Sequence, residues 1–61
     1  MELALDGRKT KAKGATVGEL IASLGLNGEE VLAKVNGKLS ANGAKVSSKD
    51  TVKIMRVIFG G

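Results

Sequence analysis

Along the first residues apolar and polar positions alternate: Leu3 and Leu5 stand between Glu2, Ala4 and Asp6, the period of a half-buried strand. Asp6-Gly7 follows as a two-residue hairpin signal, because both turn positions need positive φ and these residues tolerate it. A second strand is predicted over Arg8–Lys13, with Lys9, Lys11 and Lys13 on one side and Thr10 and Ala12 on the other. Lysines suit a sheet edge, where charge discourages pairing with another molecule. Past Gly14-Ala15 the period changes. Thr16-Val17-Gly18-Glu19 has the form of a capping box, and Val17, Leu20, Ile21 and Leu24 recur at i, i+3, i+4 and i+7 as one helical stripe. Gly25 stands where a left-handed cap ends a helix, with Leu26 closing over the last turn. Gly18 inside that helix costs roughly 1 kcal/mol relative to alanine, and only close packing of another backbone would explain it.

After the Asn27-Gly28 turn, Val31, Ala33 and Val35 alternate with Leu32 and Lys34 as a third strand, and Asn36-Gly37 turns the chain into a short fourth at Lys38-Leu39-Ser40. Asn42-Gly43 marks another reversal. The polar run Ser47-Ser48-Lys49-Asp50 then leads to a last strand over Thr51–Val57. The order β-β-α-β-β-β describes an α+β roll of two layers, one helix on one mixed sheet, with the first and last strands expected as central parallel neighbours. Its predicted core is Leu3, Leu5, Val17, Leu20, Ile21, Leu24, Leu26, Val31, Val35, Val52 and Ile54, with Leu39 and Val46 closing the lower rim. Leu32 is left on the outer face of its strand. Since Val52 and Ile54 point inward, period two places Met55, Val57 and Phe59 on the outer face as well.

Composition narrows the chemistry. The 61 residues include no Cys, His, Pro, Trp or Tyr, which excludes a zinc finger, a disulfide framework, a thiol nucleophile and an imidazole base. A chain of this length forms one domain that buries only about 60% of its unfolded surface, leaving no room for a catalytic pocket behind the core. The chain is therefore expected to work with the help of partners and not as an enzyme. No basic leader opens the sequence and no apolar run approaches the roughly 20 residues of a membrane span, so a cytoplasmic location without membrane contact is expected. The net charge of +4 raises nucleic acid as a partner, with Lys9, Lys11 and Lys13 as phosphate contacts. Phe59 is the only aromatic residue, so stacking platforms are missing, and lysine without arginine gives little groove-specific recognition. Direct nucleic-acid binding is accordingly not expected.

Gly60-Gly61 ends the sequence directly after a strand. Glycine lacks a side chain, so such a pair is thin enough to thread a narrow channel in extended form. The outer apolar set Met55, Val57 and Phe59 leads into it, with Leu32 as a neighbour. Exposed apolar groups gathered in one place indicate a partner, and Met and Phe are enriched at interface centres. Arg56 alternates with this set, as a cation for an acidic group on a partner or as an ordinary solvated arginine.

The element order over the whole chain, and above all Asn36-Gly37 followed by Asp50-Thr51-Val52-Lys53-Ile54-Met55-Arg56-Val57-Ile58-Phe59-Gly60-Gly61, resembles the ubiquitin-like small sulfur carriers, the ThiS/MoaD family with its tRNA-thiolation carriers and small protein modifiers. The resemblance implies a β-grasp domain over residues 1–57 and a flexible tail over residues 58–61. It also implies that a ubiquitin-activating-type adenylyltransferase uses ATP and magnesium to convert the Gly61 carboxylate to an acyl adenylate. Sulfur from a donor such as a cysteine desulfurase then displaces AMP and leaves a thiocarboxylate, which a sulfur-accepting synthase or a tRNA thiolase consumes. The carrier alone would be a monomer with no cofactor of its own. Val57-Ile58-Phe59-Gly60-Gly61 is closer to the thiamine and tRNA-thiolation types than to molybdopterin synthase subunits, which commonly carry proline before the glycines. Leu39-Ser40-Ala41 and Ser48-Lys49-Asp50 stand where many thiamine-type carriers have Val-Pro-Arg and Asp-Gly-Asp. Leu24-Gly25-Leu26-Asn27 leading into Glu29-Glu30-Val31 looks like the tRNA-thiolation and modifier branch. The alternative within the resemblance is a modifier joined through Gly61 to target lysines.

Overall fold

The computed structural model describes residues 1–57. Its elements are β1 (Glu2–Leu5), β2 (Arg8–Lys9), α1 (Val17–Ser23), β3 (Val31–Val35), β4 (Lys38–Ser40) and β5 (Thr51–Arg56). They form one five-stranded sheet in the order β2-β1-β5-β3-β4. β5 lies at its centre, parallel to β1 and antiparallel to β3, while β1–β2 and β3–β4 are antiparallel hairpins. This is the β-grasp arrangement that the element order predicts, with the first and last strands as central parallel neighbours.

Local chemistry explains each reversal. Asp6 and Asn36 adopt φ of 50° and 52°, and Gly7 and Gly37 follow at 81° and 82°; two consecutive positive φ values make the tight hairpin turn whose twist matches the flanking strands. α1 starts at Thr16, whose hydroxyl accepts from the Glu19 amide at 3.2 Å. The Glu19 carboxylate reaches back one residue further than a capping box requires, accepting from the Ala15 amide at 3.2 Å. The helix ends with Gly25 at φ 74°, where the Gly25 amide donates to the Ala22 carbonyl and the Leu26 amide to the Ile21 carbonyl, at 3.0 and 3.1 Å. This paired closure satisfies two terminal carbonyls. Asn27 then caps a 3₁₀ turn at Gly28–Glu30.

Gly18 finds its reason in the loop after β4. The Val17 amide donates to the Ala44 carbonyl and the Gly18 amide to the Asn42 carbonyl, at 2.9 and 2.7 Å, so the loop satisfies donors that the helix start leaves open. A Cβ on Gly18 would lie 3.0 Å from the Asn42 carbonyl oxygen. Close approach of a backbone from residues distant in sequence is thus why the helix carries glycine there.

Leu3, Val17, Leu20, Ile21, Val31, Ala33, Val52 and Ile54 are buried between helix and sheet. Leu5, Leu24, Leu26, Val35 and Val46 pack half-buried around them, joined by Ala12 and Ala44. Three expectations change. Leu39 is 66% exposed and does not close the core rim. The two-residue turn pairs Val35 with Lys38 and so places Leu39 opposite Lys34, on the outer face. Ala33 is a core residue in its own right, alternating inward with Val31. β2 is much shorter than Arg8–Lys13: after Lys9 only the Thr10 amide continues the ladder, donating to the Leu3 carbonyl at 2.9 Å. Ala12 then turns onto the core and the Lys13 amide donates to Ser23 Oγ at 3.3 Å, because the chain must climb from the sheet edge to the helix layer.

Candidate functional site

The outer face of the sheet is built by register. β5 presents Thr51, Lys53 and Met55 away from the helix, and β3 presents Leu32 and Lys34. Met55 lies directly opposite Leu32, and the two are 37% and 46% exposed. Leu39 on β4 adds a third apolar side chain to this face. The structure therefore brings the predicted pair Met55 and Leu32 together and supplies Leu39, which the sequence reading assigned to the core. The signal for Leu39 was present: a two-residue hairpin at Asn36-Gly37 fixes its partner as Lys34, an outward residue.

The end of β5 is held from both sides. On one side Asp6 accepts twice from Arg56, through Oδ1 from the backbone amide at 2.9 Å and through Oδ2 from Nε at 2.6 Å. On the other, the Val57 amide donates to the Glu30 carbonyl at 2.8 Å. The parallel ladder reaches the same point, with the Asp6 amide donating to the Ile54 carbonyl at 2.8 Å. Arg56 thus has a partner inside the chain, one that neither of its sequence-based roles named, since Asp6 and Arg56 stand 50 positions apart. The two side chains are 35% and 61% exposed, so the pair acts mainly by fixing direction, solvent screening leaving an exposed ion pair little net stability. The backbone and side-chain hydrogen bonds from Arg56, in that order, hold the Asp6 carboxyl below the usual carboxylate range.

Val57 is half-buried just beyond β5. It lines an open groove with Leu26, Asn27, Glu30, Val31 and the Asp6–Arg56 pair, where the 3₁₀ turn meets the last strand. Phe59, Gly60 and Gly61, the remaining predicted site residues, lie outside the described residues. Among the described residues no group of three or more acidic side chains, histidines or cysteines is gathered to hold a metal ion. No helix among them is long and apolar enough to cross a membrane.

At the opposite end of β5, Asp50 accepts from Asn36 Nδ2 at 2.9 Å and from the Ser47 amide at 2.7 Å. Asn36 Oδ1 in turn accepts from the Thr51 amide at 2.9 Å. This closes the β3–β4 turn onto the start of β5. The Asn36 and then the Ser47 hydrogen bonds hold Asp50 below the usual carboxylate range. Ser48-Lys49-Asp50 therefore keeps the carboxylate that the turn needs while lacking the glycine of the related Asp-Gly-Asp.

The model of the ThiS family matches residues 3–61. Among solved structures, the thiamine biosynthesis protein ThiS from Geobacter metallireducens is 26% identical, with a TM-score of 0.64 and complete coverage of both chains. A chain in the crystal structure of the Amycolatopsis orientalis BexX/CysO complex is also 26% identical, with a TM-score of 0.63 over 90% of this chain and 83% of that one. With the central parallel β1–β5 pair, helix α1 packed on the sheet and a match that runs through the final glycines, the chain belongs to the ThiS family of ubiquitin-like sulfur carriers.

Proposed function

We propose that the chain carries sulfur on the Gly61 carboxylate as a protein co-substrate. A ubiquitin-activating-type adenylyltransferase, using ATP and magnesium, transfers AMP to the carboxylate and releases pyrophosphate. A sulfur donor, such as a cysteine desulfurase, then presents a persulfide whose terminal sulfur displaces AMP to form an acyl disulfide, and a thiol reductant cleaves the S–S bond to leave a mixed disulfide and a thiocarboxylate. Ionised and polarisable, that group gives its sulfur to an acceptor enzyme in tRNA thiolation or thiazole synthesis. Gly60 lets the tail enter the activating enzyme, and residues 58–61 form the tail beyond the domain. The observation that carries this reading is that the family match includes the Gly-Gly end, at residues 3–61. The tethering of Arg56 and Val57 on both sides supports it physically, since a short tail reaches a reacting centre reproducibly only when its root is fixed.

Docking falls to the outer face of Leu32 and Met55, with Leu39 on the same face, and with Arg56, Val57 and Phe59, which follow in the sequence, as further contacts. That one structural relative comes from a BexX/CysO complex supports a partner-binding role. Intact-mass analysis of the protein from its own cells tests the proposal. Replacement of one oxygen by sulfur at the carboxyl end is expected. A chain carrying unmodified Gly61 throughout, with the activating enzyme and sulfur donor present, overturns it, and higher-mass conjugates through Gly61 would identify a protein modifier instead.

A further inference from the structure

Register sets five residues side by side across the outer face: Lys9 pairs with Ala4, Ala4 with Lys53, Lys53 with Lys34, and Lys34 with Leu39. Two residues along β5 toward the tail, Met55 pairs with Leu32. Lys34 and Lys53 are both exposed and stand directly opposite on strands about 5 Å apart, an arrangement that disfavours folding. The one ion pair among the described residues joins Arg56 to Asp6, so no carboxylate there offsets these lysines. Glu2, the acid of this face, pairs with Thr51 on the side of the row away from Met55. Among the described residues, a single surface thus holds cations outside any ion pair together with exposed apolar side chains.

We infer that this face docks an acidic protein surface, with carboxylates against Lys34 and Lys53, Lys9 extending the strip, and apolar contact over Leu32, Leu39 and Met55. The inference rests on the partner face proposed above and adds the chemistry of the partner. A carboxylate placed between Lys34 and Lys53 removes their mutual repulsion on binding, so the complex gains what the free sheet lacks. Nucleic acid fits less well. Phosphates would desolvate Leu32, Leu39 and Met55 without matching them, and residues 1–57 contain no aromatic side chain for a base to stack on.

The test follows ATP–pyrophosphate exchange by the ubiquitin-activating-type adenylyltransferase of the same organism, with the full chain as substrate at varied concentration and salt. The double variant K34E/K53E is expected to lower kcat/KM by about tenfold or more at low salt, mainly through KM. K13E/K45E makes the same change in net charge on the helix side, where the Lys13 amide bonds Ser23 and Lys45 pairs with Thr16, and is expected to stay within about twofold. Added salt should weaken the wild type and narrow its gap from K34E/K53E. Urea unfolding checks folding, and K34T/K53T, which relieves the repulsion, keeps the test informative should the glutamates unfold the sheet. Equal losses in the two charge-reversed variants overturn the inference. So does normal exchange by K34E/K53E when Met55→Glu is crippled, while an undiminished Met55→Glu overturns the underlying partner face. In a mobility-shift arm with total tRNA, binding by the wild type that K34E/K53E loses would assign the face to RNA and overturn the acidic-protein reading.

Discussion

On β5, Val52 and Ile54 are fully buried against the helix, while Lys53 and Met55, each one residue away, stand exposed on the other side. β3 repeats the contrast, with Val31 and Ala33 inside and Leu32 and Lys34 outside. On the central strands the inner face is apolar where α1 covers it, at Leu3, Val31, Ala33, Val52 and Ile54. The outer face mixes Leu32, Leu39 and Met55 with lysines and has no covering layer among the described residues. The same strands therefore serve two ends: inner side chains decide whether the domain folds, and outer ones are free to answer to something else. In a chain of this length stability amounts to only a few kcal/mol, so apolar groups kept outside the core suggest a use outside folding.

The largest expected effect lies on the inner face. Ile54→Ala should lower unfolding free energy by about 2–5 kcal/mol, since it removes buried methylenes and leaves a cavity; urea denaturation reads this directly. A loss no larger than that of an outer-face substitution would break the contrast between the faces. Met55→Glu, one position away, should change stability by no more than about 0.5 kcal/mol while weakening binding to the activating enzyme. If that variant unfolds, the face has been assigned wrongly.

Acid treatment acts on the sheet ends that both faces share. Asp6 and Asp50 are held below the usual carboxylate range by their hydrogen bonds, so the folded state binds their protons less readily than the unfolded chain does. Their contribution is complete well above the ordinary aspartate value, about 3.9, and is lost as pH falls through that value toward the lowered ones. Stability measured from pH 6 downward should decline there, and Asp6→Asn should flatten part of the decline. An unchanged slope in that variant would show that the Arg56 clamp does not act as described.

The smallest effect has the opposite sign. Lys34→Thr removes one of two directly opposed cations and places a β-branched residue on an exposed strand, so it should stabilise the sheet by about 0.2–1 kcal/mol at low salt. The gain should shrink as salt screens the pair. Destabilisation by Lys34→Thr would mean that the lysines are not in conflict.

These contrasts were partly legible in the amino-acid pattern. Asp6-Gly7, Asn36-Gly37, the Thr16 cap and Gly25 are local signals, and each structure they announce is local too. What escaped depends on residues far apart in the chain. Gly18 is explained only by the Asn42 carbonyl, and Arg56 only by Asp6. The end of β2 is set by a climb to the helix that alternation in Thr10-Lys11-Ala12-Lys13 does not record. Leu39 is a different case: apolar character suggested the core, whereas the short turn already dictated its place beside Lys34. Met55 and Leu32 were assigned outward from period two alone, and their direct pairing adds that they form one surface.

The central claim is that the fold positions a carboxylate which partner enzymes act upon. Measuring ATP–pyrophosphate exchange by the activating enzyme with the chain lacking Gly61, beside its urea unfolding curve, tests this most directly. The account predicts that activation is abolished while the unfolding midpoint stays within error of the full chain. Full adenylation of the shortened chain would contradict it.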